Sequence, residues 1–280
     1  MHRLMLTKEI ERLVRDANFS LRKDVLRLLK RAYIEENNKR AKNALGLILD
    51  NARIAKKEKL AICQDTGLPI VFIEIGRGIK ISSRVIATIK KSIESGYKKN
   101  YLRASGVEPL NRGRPSYKGI ISHIEFSDRI KGLRITVLPK GFGSENKSQL
   151  KMFNPTAGLE EIEGFILDSV KKAGPDACPP FVVGVGIGGT SDVALLLAKK
   201  ALLEKLDGPN PDRFLNRWQS KLLKKINSLK IGPMGLGGKV TCLAVKMKKI
   251  PTHIAGLPVG VNISCHALRS ASLHIQDAKF

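Results

Sequence analysis

Three cysteines lie far apart in the chain, each inside its own short motif: Cys63 in AICQDTGLP, Cys178 in KKAGPDACPPF and Cys265 in GLPVGVNISCHA. None belongs to a CxxC pair, so the spacing is not that of a zinc ribbon or a thioredoxin-type redox site. Thiolates that are distant in sequence can still converge in a fold and hold an iron–sulfur cluster. Three thiolates on a four-iron cluster leave one iron without a protein ligand, and that iron can act as a Lewis acid on a substrate. The alternative is that these are ordinary buried cysteines, since free cysteine is among the most buried residue types.

The residues beside the cysteines favour a chemical role over a purely structural one. Gln64 and Asp65 place an amide and a carboxylate directly after the first thiol. Two prolines follow the second cysteine and restrict its backbone. His253 lies twelve residues before the third cysteine, at the start of the stretch HIAGLPVGVNISCH. The fourth cysteine, Cys242, stands in an apolar, β-branched run, KVTCLAVKM, and is predicted to be a core residue of a strand.

The composition is that of a globular protein of 280 residues, with 42% hydrophobic and 27% charged residues. This length suffices for one large domain or two lobes. No apolar run approaches the roughly 20 residues of a membrane helix, and charges interrupt the N-terminal segment where a signal peptide would be apolar. Four cysteines without a framework pattern indicate a reducing compartment. We therefore expect a cytoplasmic protein with no membrane partner.

The formal net charge of +25 needs a separate explanation. A basic surface can neutralise phosphates, which makes a basic nucleic-acid-binding protein the alternative from another functional class. The lysines are spread along the chain, however, aromatic residues make up only 5%, and no known reader motif accompanies the charge. We therefore expect no nucleic-acid partner. The charge is interpreted as a surface that steers an anionic substrate or meets an acidic protein.

The pattern of apolar residues predicts an α+β fold with mixed helices and short sheets. Apolar residues at i, i+3 and i+4 spacing predict a helical lead-in over about residues 1–57. Strands are predicted at 68–76, ISHIEFSD, GLRITVLPKG, PFVVGVGIGG, GKVTCLAVKM, THIAGLP and VGVNIS. Further helices are predicted at SSRVIATIKKSIESGYKKN, 161–172, SDVALLLAKKALLEKL and PDRFLNRWQSKLLKKIN. We expect the helical region to precede one or more α/β catalytic lobes around an iron–sulfur site, within a single domain of residues 1–280.

Two glycine motifs resemble nucleotide-binding loops. The run at 184–189 fits the GxGxxG pattern between a predicted strand and a helix, as a dinucleotide-binding fold requires. It lies past mid-chain, and no second strand ending in Asp or Glu follows about 20 residues later to contact a ribose. Such a turn can instead hold a smaller anion on backbone N–H groups. The second motif, GPMGLGGKVT, lacks the Ser or Thr that a phosphate loop carries directly after its lysine, Lys239.

Five stretches occur in one order over roughly residues 40–270: NARIAKKEKLAICQDTG, PKGFGSENKS, GPDACPPFVVGVGIGGTSDVALLLAKKAL, IGPMGLGGKVTCLAVKM and THIAGLPVGVNISCHA. Together they resemble the alpha subunit, or N-terminal catalytic domain, of the iron–sulfur hydro-lyases, class I fumarate hydratase and L-tartrate dehydratase. The resemblance implies a 4Fe-4S cluster held by Cys63, Cys178 and Cys265, with one iron open to substrate. It also implies reversible addition of water to fumarate, giving L-malate, with dehydration of L-tartrate as the close alternative.

The same resemblance implies roles for residues outside the cysteine set. Asp65 would take part in proton transfer, and His253 would be the histidine of the catalytic site. The residues that would contact the dicarboxylate substrate are Gln64, Arg103 (in NYLRAS), Gly141 and Gly143. The two glycines would let backbone N–H groups approach an anionic ligand.

Structural interpretations of these residues stay open at this point. Asp65 stands before Thr-Gly and could simply cap a turn. Arg103 could be a surface cation and His253 a core histidine with satisfied hydrogen bonds. GFGSENK could be an ordinary polar loop, and it has Phe142 where many relatives carry glycine.

The motifs do not account for every group that a four-carbon dicarboxylate needs. A second cationic clamp and the opposite acid–base partner are missing, and by resemblance they come from a smaller beta domain, fused in some relatives and separate in others. The chain ends at Phe280, soon after the last cysteine motif. We therefore expect a separate beta subunit, in a heterotetramer with two copies of each chain, and no activity from this chain alone.

Overall fold

A computed structural model describes residues 3–276; residues 1, 2 and 277–280 lie outside it. The helices are α1 (Arg3–Phe19), α2 (Lys23–Glu35), α3 (Lys39–Glu58), α4 (Ser83–Lys99), α5 (Phe142–Glu145), α6 (Leu159–Ala173), α7 (Ser191–Ala201) and α8 (Arg213–Asn227). The strands are β1 (Leu68–Arg77), β2 (Ile121–Lys131), β3 (Leu133–Lys140), β4 (Gln149–Phe153), β5 (Phe181–Gly189), β6 (Cys242–Thr252), β7 (Leu257–Ser264) and β8 (Ala271–Ile275). The predicted mixture of helices and short sheets is confirmed. Within residues 3–276, no helix has the length and apolar content that crossing a membrane requires.

The chain forms two compact units and passes between them four times. Unit 1 comprises Met1–Arg22, Ala52–Gly141 and Arg269–Phe280. Unit 2 comprises Lys23–Asn51 and Phe142–Leu268. Each unit contains one four-stranded sheet with its own hydrophobic core.

The predicted helical lead-in consists of α1, α2 and α3, and side chains define the second break in it. Asn38 Oδ1 accepts hydrogen bonds from the N–H groups of Arg40 and Ala41 at 3.0 and 3.1 Å, an N-cap that starts α3. Glu36 is buried just before this cap, and its Oε1 accepts from the N–H groups of Asn37 and Asn38. Backbone groups that a continuous helix would pair internally are thus satisfied by side chains.

The sheet of unit 1 has the strand order β2-β1-β3-β8. β1 runs parallel to β2 and antiparallel to β3, and β8 pairs antiparallel with β3. The strands predicted at ISHIEFSD and GLRITVLPKG are confirmed, but they lie on either side of β1 and do not pair with each other. No strand is predicted at β8, because this segment has only five residues, its polarity is mixed and neither glycine nor proline bounds it.

Helices α1 and α4 pack together, and α1 contacts β3 and β8 of the same unit. Successive side chains of a strand point to opposite faces, so residues two apart share a face. Val71, Ile73 and Ile75 of β1 therefore point into one core, where they meet Ile10 of α1 and Ile93 of α4. This core supports the N-terminal end of β1, where the motif of the first cysteine joins the sheet.

The sheet of unit 2 has the strand order β4-β7-β5-β6. β5 runs parallel to β6 and antiparallel to β7, which in turn pairs antiparallel with β4. The strands predicted at GKVTCLAVKM and VGVNIS are confirmed. The prediction of a separate strand at THIAGLP is wrong, because residues 253–256 form the connection between β6 and β7. Gly256 N–H donates to the carbonyl of His253 at 3.1 Å and closes a turn there.

The glycines of the GxGxxG match allow a helix to lie directly on the sheet. A Cβ on Gly184 would lie 2.1 Å from the carbonyl oxygen of Ala198, and one on Gly186 would lie 2.1 Å from that of Ala194. Both alanines belong to α7, which follows β5 at once. Any larger residue at these two positions would push α7 away from β5. Helix packing therefore explains this motif without a bound dinucleotide.

Candidate active site

The turn after Cys63 is shaped by a carboxylate and a glycine. Cys63 is exposed, and two residues later Asp65 Oδ1 accepts a hydrogen bond from Gly67 N–H at 3.0 Å. Gly67 has a φ of 73°, and a Cβ on it would lie 2.7 Å from the backbone nitrogen of Lys140. Glycine is required here by both the conformation and the close approach. One oxygen of Asp65 therefore caps the turn, as the structural interpretation predicts.

The other carboxylate oxygen of Asp65 lies beside Gly141. A Cβ on Gly141 would be 3.2 Å from Asp65 Oδ2. The antiparallel register of β1 and β3 explains this neighbourhood, because Leu68 pairs with Lys140 and so brings both flanking loops together. The structure thus brings together two residues of the predicted site, and glycine at position 141 keeps a side chain away from Oδ2.

Arg103 is joined to the same turn through Thr66. The backbone N–H of Arg103 donates to Thr66 Oγ1 at 3.0 Å, and the Thr66 hydroxyl lies 3.4 Å from the Arg103 carbonyl oxygen, which accepts from it. Thr66 is buried, whereas Arg103 and Gln64 are exposed. The predicted site residues that unit 1 holds are Cys63, Gln64, Asp65, Arg103 and Gly141.

Two buried residues that the sequence does not single out hold the backbone of this turn. Tyr97 donates its hydroxyl to the carbonyl of Thr66 at 3.1 Å, and Arg269 Nη2 donates to the carbonyl of Asp65 at 2.5 Å. Burial raises the pKa of Tyr97 above its ordinary value, so the phenol stays protonated and remains a donor. The sequence pattern indicates only that Tyr97 belongs to the apolar face of α4. Arg269 gives one weak signal, a cation directly after the apolar pair in CHAL.

The antiparallel pairing of β5 with β7 brings Cys178 and Cys265 to the same end of the sheet of unit 2. Val182 pairs with Ser264, so the residues before β5 lie beside those after β7. The carbonyl of Cys178 accepts a hydrogen bond from His266 N–H at 3.2 Å and lies 3.0 Å from His266 Nδ1. Both cysteines are half-buried. Two of the three predicted ligands are therefore neighbours in the fold.

Cys242 has the surroundings of a core residue, as predicted. It lies at the start of β6, is 1% exposed, and its thiol donates to the carbonyl of Ala244 at 3.2 Å. Burial raises the pKa of Cys242 to about 12. The thiolate, not the thiol, binds metal ions, so this cysteine is poorly suited to be a ligand.

The GFGSENK segment packs beside the turn that precedes the second cysteine. Gly143 belongs to α5, and a Cβ on it would lie 3.6 Å from the carbonyl oxygen of Asp176. Glu145 accepts hydrogen bonds from Lys199 of α7 at 2.5 Å and from Asn262 of β7 at 2.9 Å. The segment is therefore anchored to two elements of unit 2 by Glu145. Gly143 lies on the same side of this unit as the cysteine pair.

His253 lies at the other end of β7. It is exposed in the turn between β6 and β7, and its Nδ1 accepts a hydrogen bond from Ala255 N–H at 3.1 Å. β7 separates this turn from Cys265, and a strand of its length spans roughly 23 Å. Within unit 2, the structure does not bring His253 next to the cysteine pair. Its place in the catalytic site stays a prediction.

The predicted donor set fits an iron–sulfur cluster in its chemistry. Cys63 is exposed, Cys178 and Cys265 are half-buried, and all are thiols outside any disulfide. Thiolates are the usual ligands of such clusters. Cys63 belongs to unit 1 and the other two to unit 2. Across residues 3–276, no three His, Cys, Asp or Glu side chains form a group that could hold a metal ion, so the three-cysteine set stays a prediction.

Comparison with known proteins places the chain in a family. A family model described as fumarate hydratase (Fumerase) matches residues 7–274. A Methanocaldococcus jannaschii protein that carries the provisional name L(+)-tartrate dehydratase subunit alpha is 42% identical, over 99% of this chain and 100% of that protein. A Geobacillus stearothermophilus protein, provisionally named fumarate hydratase class I, is 32% identical over 96% of this chain. The chain spans only 55% of the length of that relative. The Escherichia coli L(+)-tartrate dehydratase subunit alpha is 27% identical, over 89% of this chain and 84% of that protein.

These relatives are named as hydratases and dehydratases, so the chain is an enzyme of the hydro-lyase class. It belongs to the fumarate hydratase family, as the motif resemblance predicts. The family match supports the enzymatic interpretation over the nucleic-acid-binding alternative. It does not by itself choose between fumarate and tartrate, because relatives with both names match.

Proposed function

We propose that this chain is the alpha subunit of an iron–sulfur fumarate hydratase that adds water reversibly to fumarate and gives L-malate. The observation that carries the proposal is the pairing of β5 with β7, which makes Cys178 and Cys265 neighbours while Cys242 stays in the core. A second candidate reaction is the dehydration of L-tartrate. It is favoured by the similarity to the Methanocaldococcus jannaschii protein over that protein's full length.

The proposed cofactor is a 4Fe-4S cluster with Cys63, Cys178 and Cys265 as ligands and one iron open to substrate. When bound, it supplies a Lewis acid for the hydroxyl oxygen that is added or removed. None of these three cysteines is a fully buried residue, whereas burial keeps the thiol of Cys242 neutral. A reducing cytoplasm, the proposed compartment, keeps such thiols out of disulfides.

One residue of this chain is proposed to move a proton. Hydration of an alkene next to a carboxylate needs a group that exchanges a proton with carbon, and we assign this role to Asp65 Oδ2. The bond from Gly67 N–H to Oδ1 fixes the orientation of the carboxylate. His253 is the proposed histidine of the catalytic site. Because its Nδ1 accepts from Ala255 N–H, the proton of the neutral ring is on Nε2, which faces away from that bond.

The substrate is proposed to be a small dicarboxylate held by exposed polar groups. The guanidinium of Arg103 can bind a carboxylate through two parallel hydrogen bonds. The amide of Gln64 lies next to the first cysteine and can contact the substrate oxygens. Gly141 and Gly143 have no side chain, so an anionic ligand could approach their backbone closely. The excess of positive charge attracts such a substrate from solution.

Arg103→Lys is expected to raise KM for the dicarboxylate about tenfold, the effect of losing one charge-assisted hydrogen bond. Lysine lacks the planar pair of donors, which explains the higher KM. The value of kcat should change less, because lysine keeps the positive charge. Steady-state kinetics of the reconstituted enzyme measure both constants. Arg129→Lys, at an exposed position of β2, is the matched control and should leave KM unchanged. An unchanged KM for Arg103→Lys would place this side chain outside the substrate site.

The proposed partner is a separate beta subunit in an assembly with two copies of each chain. The Methanocaldococcus jannaschii and Escherichia coli relatives are named as alpha subunits. The Geobacillus stearothermophilus relative has almost half of its length outside the match, which is room for a fused beta region. A beta subunit would supply the second cation for the far carboxylate of the substrate.

Anaerobic assay of the reconstituted complex tests the proposed function. We expect iron to bind and fumarate to be turned over with a kcat/KM at least about tenfold above that for L-tartrate, while the chain without its beta subunit is inactive. The reverse ratio would assign the enzyme to tartrate. A complex that binds no iron and turns over neither compound would reject the proposal. Full activity of this chain alone would reject the required partner.

A further inference from the structure

Hydrogen bonds from three separate segments converge on the backbone of residues 65 and 66. Arg269, just before β8, donates to the carbonyl of Asp65, and Tyr97 of α4 donates to the carbonyl of Thr66. The loop after α4 contributes the backbone of Arg103, which exchanges hydrogen bonds with the Thr66 hydroxyl. All these residues belong to unit 1. The turn between the first cysteine and β1 is thus held from several directions at once.

These bonds are not needed to form the turn itself. The turn is closed locally, because Gly67 N–H donates to Asp65 Oδ1 at 3.0 Å and Thr66 N–H donates to the carbonyl of Gln64 at 3.1 Å. The longer-range bonds instead fix where the turn lies relative to the loop that carries Arg103. Thr66 connects the turn to both α4 and the loop that follows it, since its carbonyl accepts from Tyr97 and its hydroxyl binds the Arg103 backbone.

The surroundings of this network show that it is built of buried polar groups. Thr66, Tyr97 and Arg269 are each 3% exposed. Within the described residues, the Nε atom of Arg269 is buried without a hydrogen-bond partner. Burying a polar atom in this way costs free energy that an apolar residue would avoid. The guanidinium thus carries an unfavourable burial term, and the hydrogen bond observed for it is the one to the Asp65 carbonyl.

We propose that Thr66 is a positioning residue that fixes Asp65 relative to Arg103, with Tyr97 and Arg269 holding the two adjacent carbonyl groups. The proposal rests on the proposed function, in which Asp65 transfers a proton and Arg103 binds a carboxylate. Reaction rates depend steeply on the placement of such groups, and a displacement of about 1 Å can cost about a hundredfold. Thr66 touches neither substrate nor cofactor in this scheme and acts only through its two neighbours.

Thr66→Val and Thr66→Ser form a matched pair of variants in the reconstituted complex. Valine keeps the shape of threonine but removes the hydroxyl, which leaves the Arg103 N–H without its acceptor. Serine keeps the hydroxyl and loses only a methyl group. We expect Thr66→Val to lower kcat and raise KM, each by about tenfold, and Thr66→Ser to stay within about threefold of wild type for both. Iron content should be unchanged in both variants, because no ligand is altered.

Amide hydrogen exchange of the same samples gives a readout that does not depend on activity. Peptides covering residues 62–67 and 101–105 should exchange at least about tenfold faster in Thr66→Val and at the wild-type rate in Thr66→Ser. Tyr97→Phe removes the hydrogen bond to the Thr66 carbonyl and keeps the ring, so it should speed amide exchange in residues 62–67. Tyr101→Phe, at a position that is 95% exposed, is its control and should change nothing.

The outcomes separate this inference from the proposed function. If the wild-type complex turns over neither fumarate nor L-tartrate, the proposed function fails, and the exchange rates still decide whether Thr66 holds the two segments together. Equal kinetics for the valine and serine variants would overturn the positioning role, as would fast exchange without a kinetic change. If Thr66→Val does not fold, Tyr97→Phe against Tyr101→Phe decides by the same two measurements.

Discussion

Replacing Cys63, Cys178 or Cys265 with serine is expected to abolish the visible chromophore of the anaerobically reconstituted protein, whereas Cys242→Ser should keep it. A serine hydroxyl is not a thiolate and does not replace one on an iron–sulfur cluster. Cys63 is exposed and the other two motif cysteines are half-buried, while Cys242 is 1% exposed and has its pKa raised to about 12 by burial. Anaerobic absorbance spectra and iron content per chain measure the result.

Cys242→Ser is a close control because the position keeps its hydrogen bond. The thiol donates to the carbonyl of Ala244, and a serine hydroxyl can donate to the same oxygen. A modest loss of stability, about 1 kcal/mol, is expected from placing a more polar group in the core. Loss of the chromophore in Cys242→Ser, or its retention in any of the other three variants, would contradict the ligand assignment.

Asp65→Asn is expected to lower kcat by about a hundredfold or more while leaving iron content unchanged. That magnitude is typical for removal of a general acid or base. The substitution preserves the turn, because the asparagine Oδ1 can still accept from Gly67 N–H. The amide at the position of Oδ2, next to Gly141, can no longer take up a proton. Single-turnover and steady-state rates measure the loss.

The control for this variant is Asp16→Asn, which alters an exposed carboxylate of α1 that pairs with Arg12 and Arg15. Surface pairs of this kind contribute little, so its rate should stay within about twofold of wild type. A near-wild-type rate for Asp65→Asn would leave Asp65 with the turn-capping role alone. A rate loss accompanied by loss of iron would instead indicate that the turn supports the cluster.

Most elements could be predicted from the sequence, but their partners could not. β1 and α4 stand out as a β-rich run ended by glycine and as an amphipathic stretch, and both are confirmed. β2 and β3 follow each other directly in the sequence, yet β1 lies between them in the sheet. Local patterns carry no information on which strand fills an edge. β8 is missed for a different reason, because its five-residue sequence has mixed polarity and no flanking glycine or proline.

The candidate site shows a similar division. Cysteines, carboxylates and arginines in dense motifs can be predicted as site residues, because these residue types commonly bind metals, transfer protons or bind anions. Tyr97 and Arg269 are not, since a tyrosine on a helix face and an arginine after an apolar pair have many structural uses. The glycines at 184 and 186 show the reverse problem, because a pattern that is typical of nucleotide binding serves close packing of α7 instead. Distinguishing these cases requires the distances.

The path of the chain between the two units sets the order in which they can be completed on the ribosome. Unit 2 has all of its residues once Leu268 has been made, whereas unit 1 still lacks Arg269–Phe280, which carries β8. The outer edge of β3 is unpaired until then, and an unpaired strand edge is a site of wrong association in a nascent chain. Arg269, the donor to the Asp65 carbonyl, also arrives in this last segment. The pairing of β5 with β7, which makes Cys178 and Cys265 neighbours, can thus be complete before the turn after Cys63 is fixed, so two of the three thiols are positioned before the third.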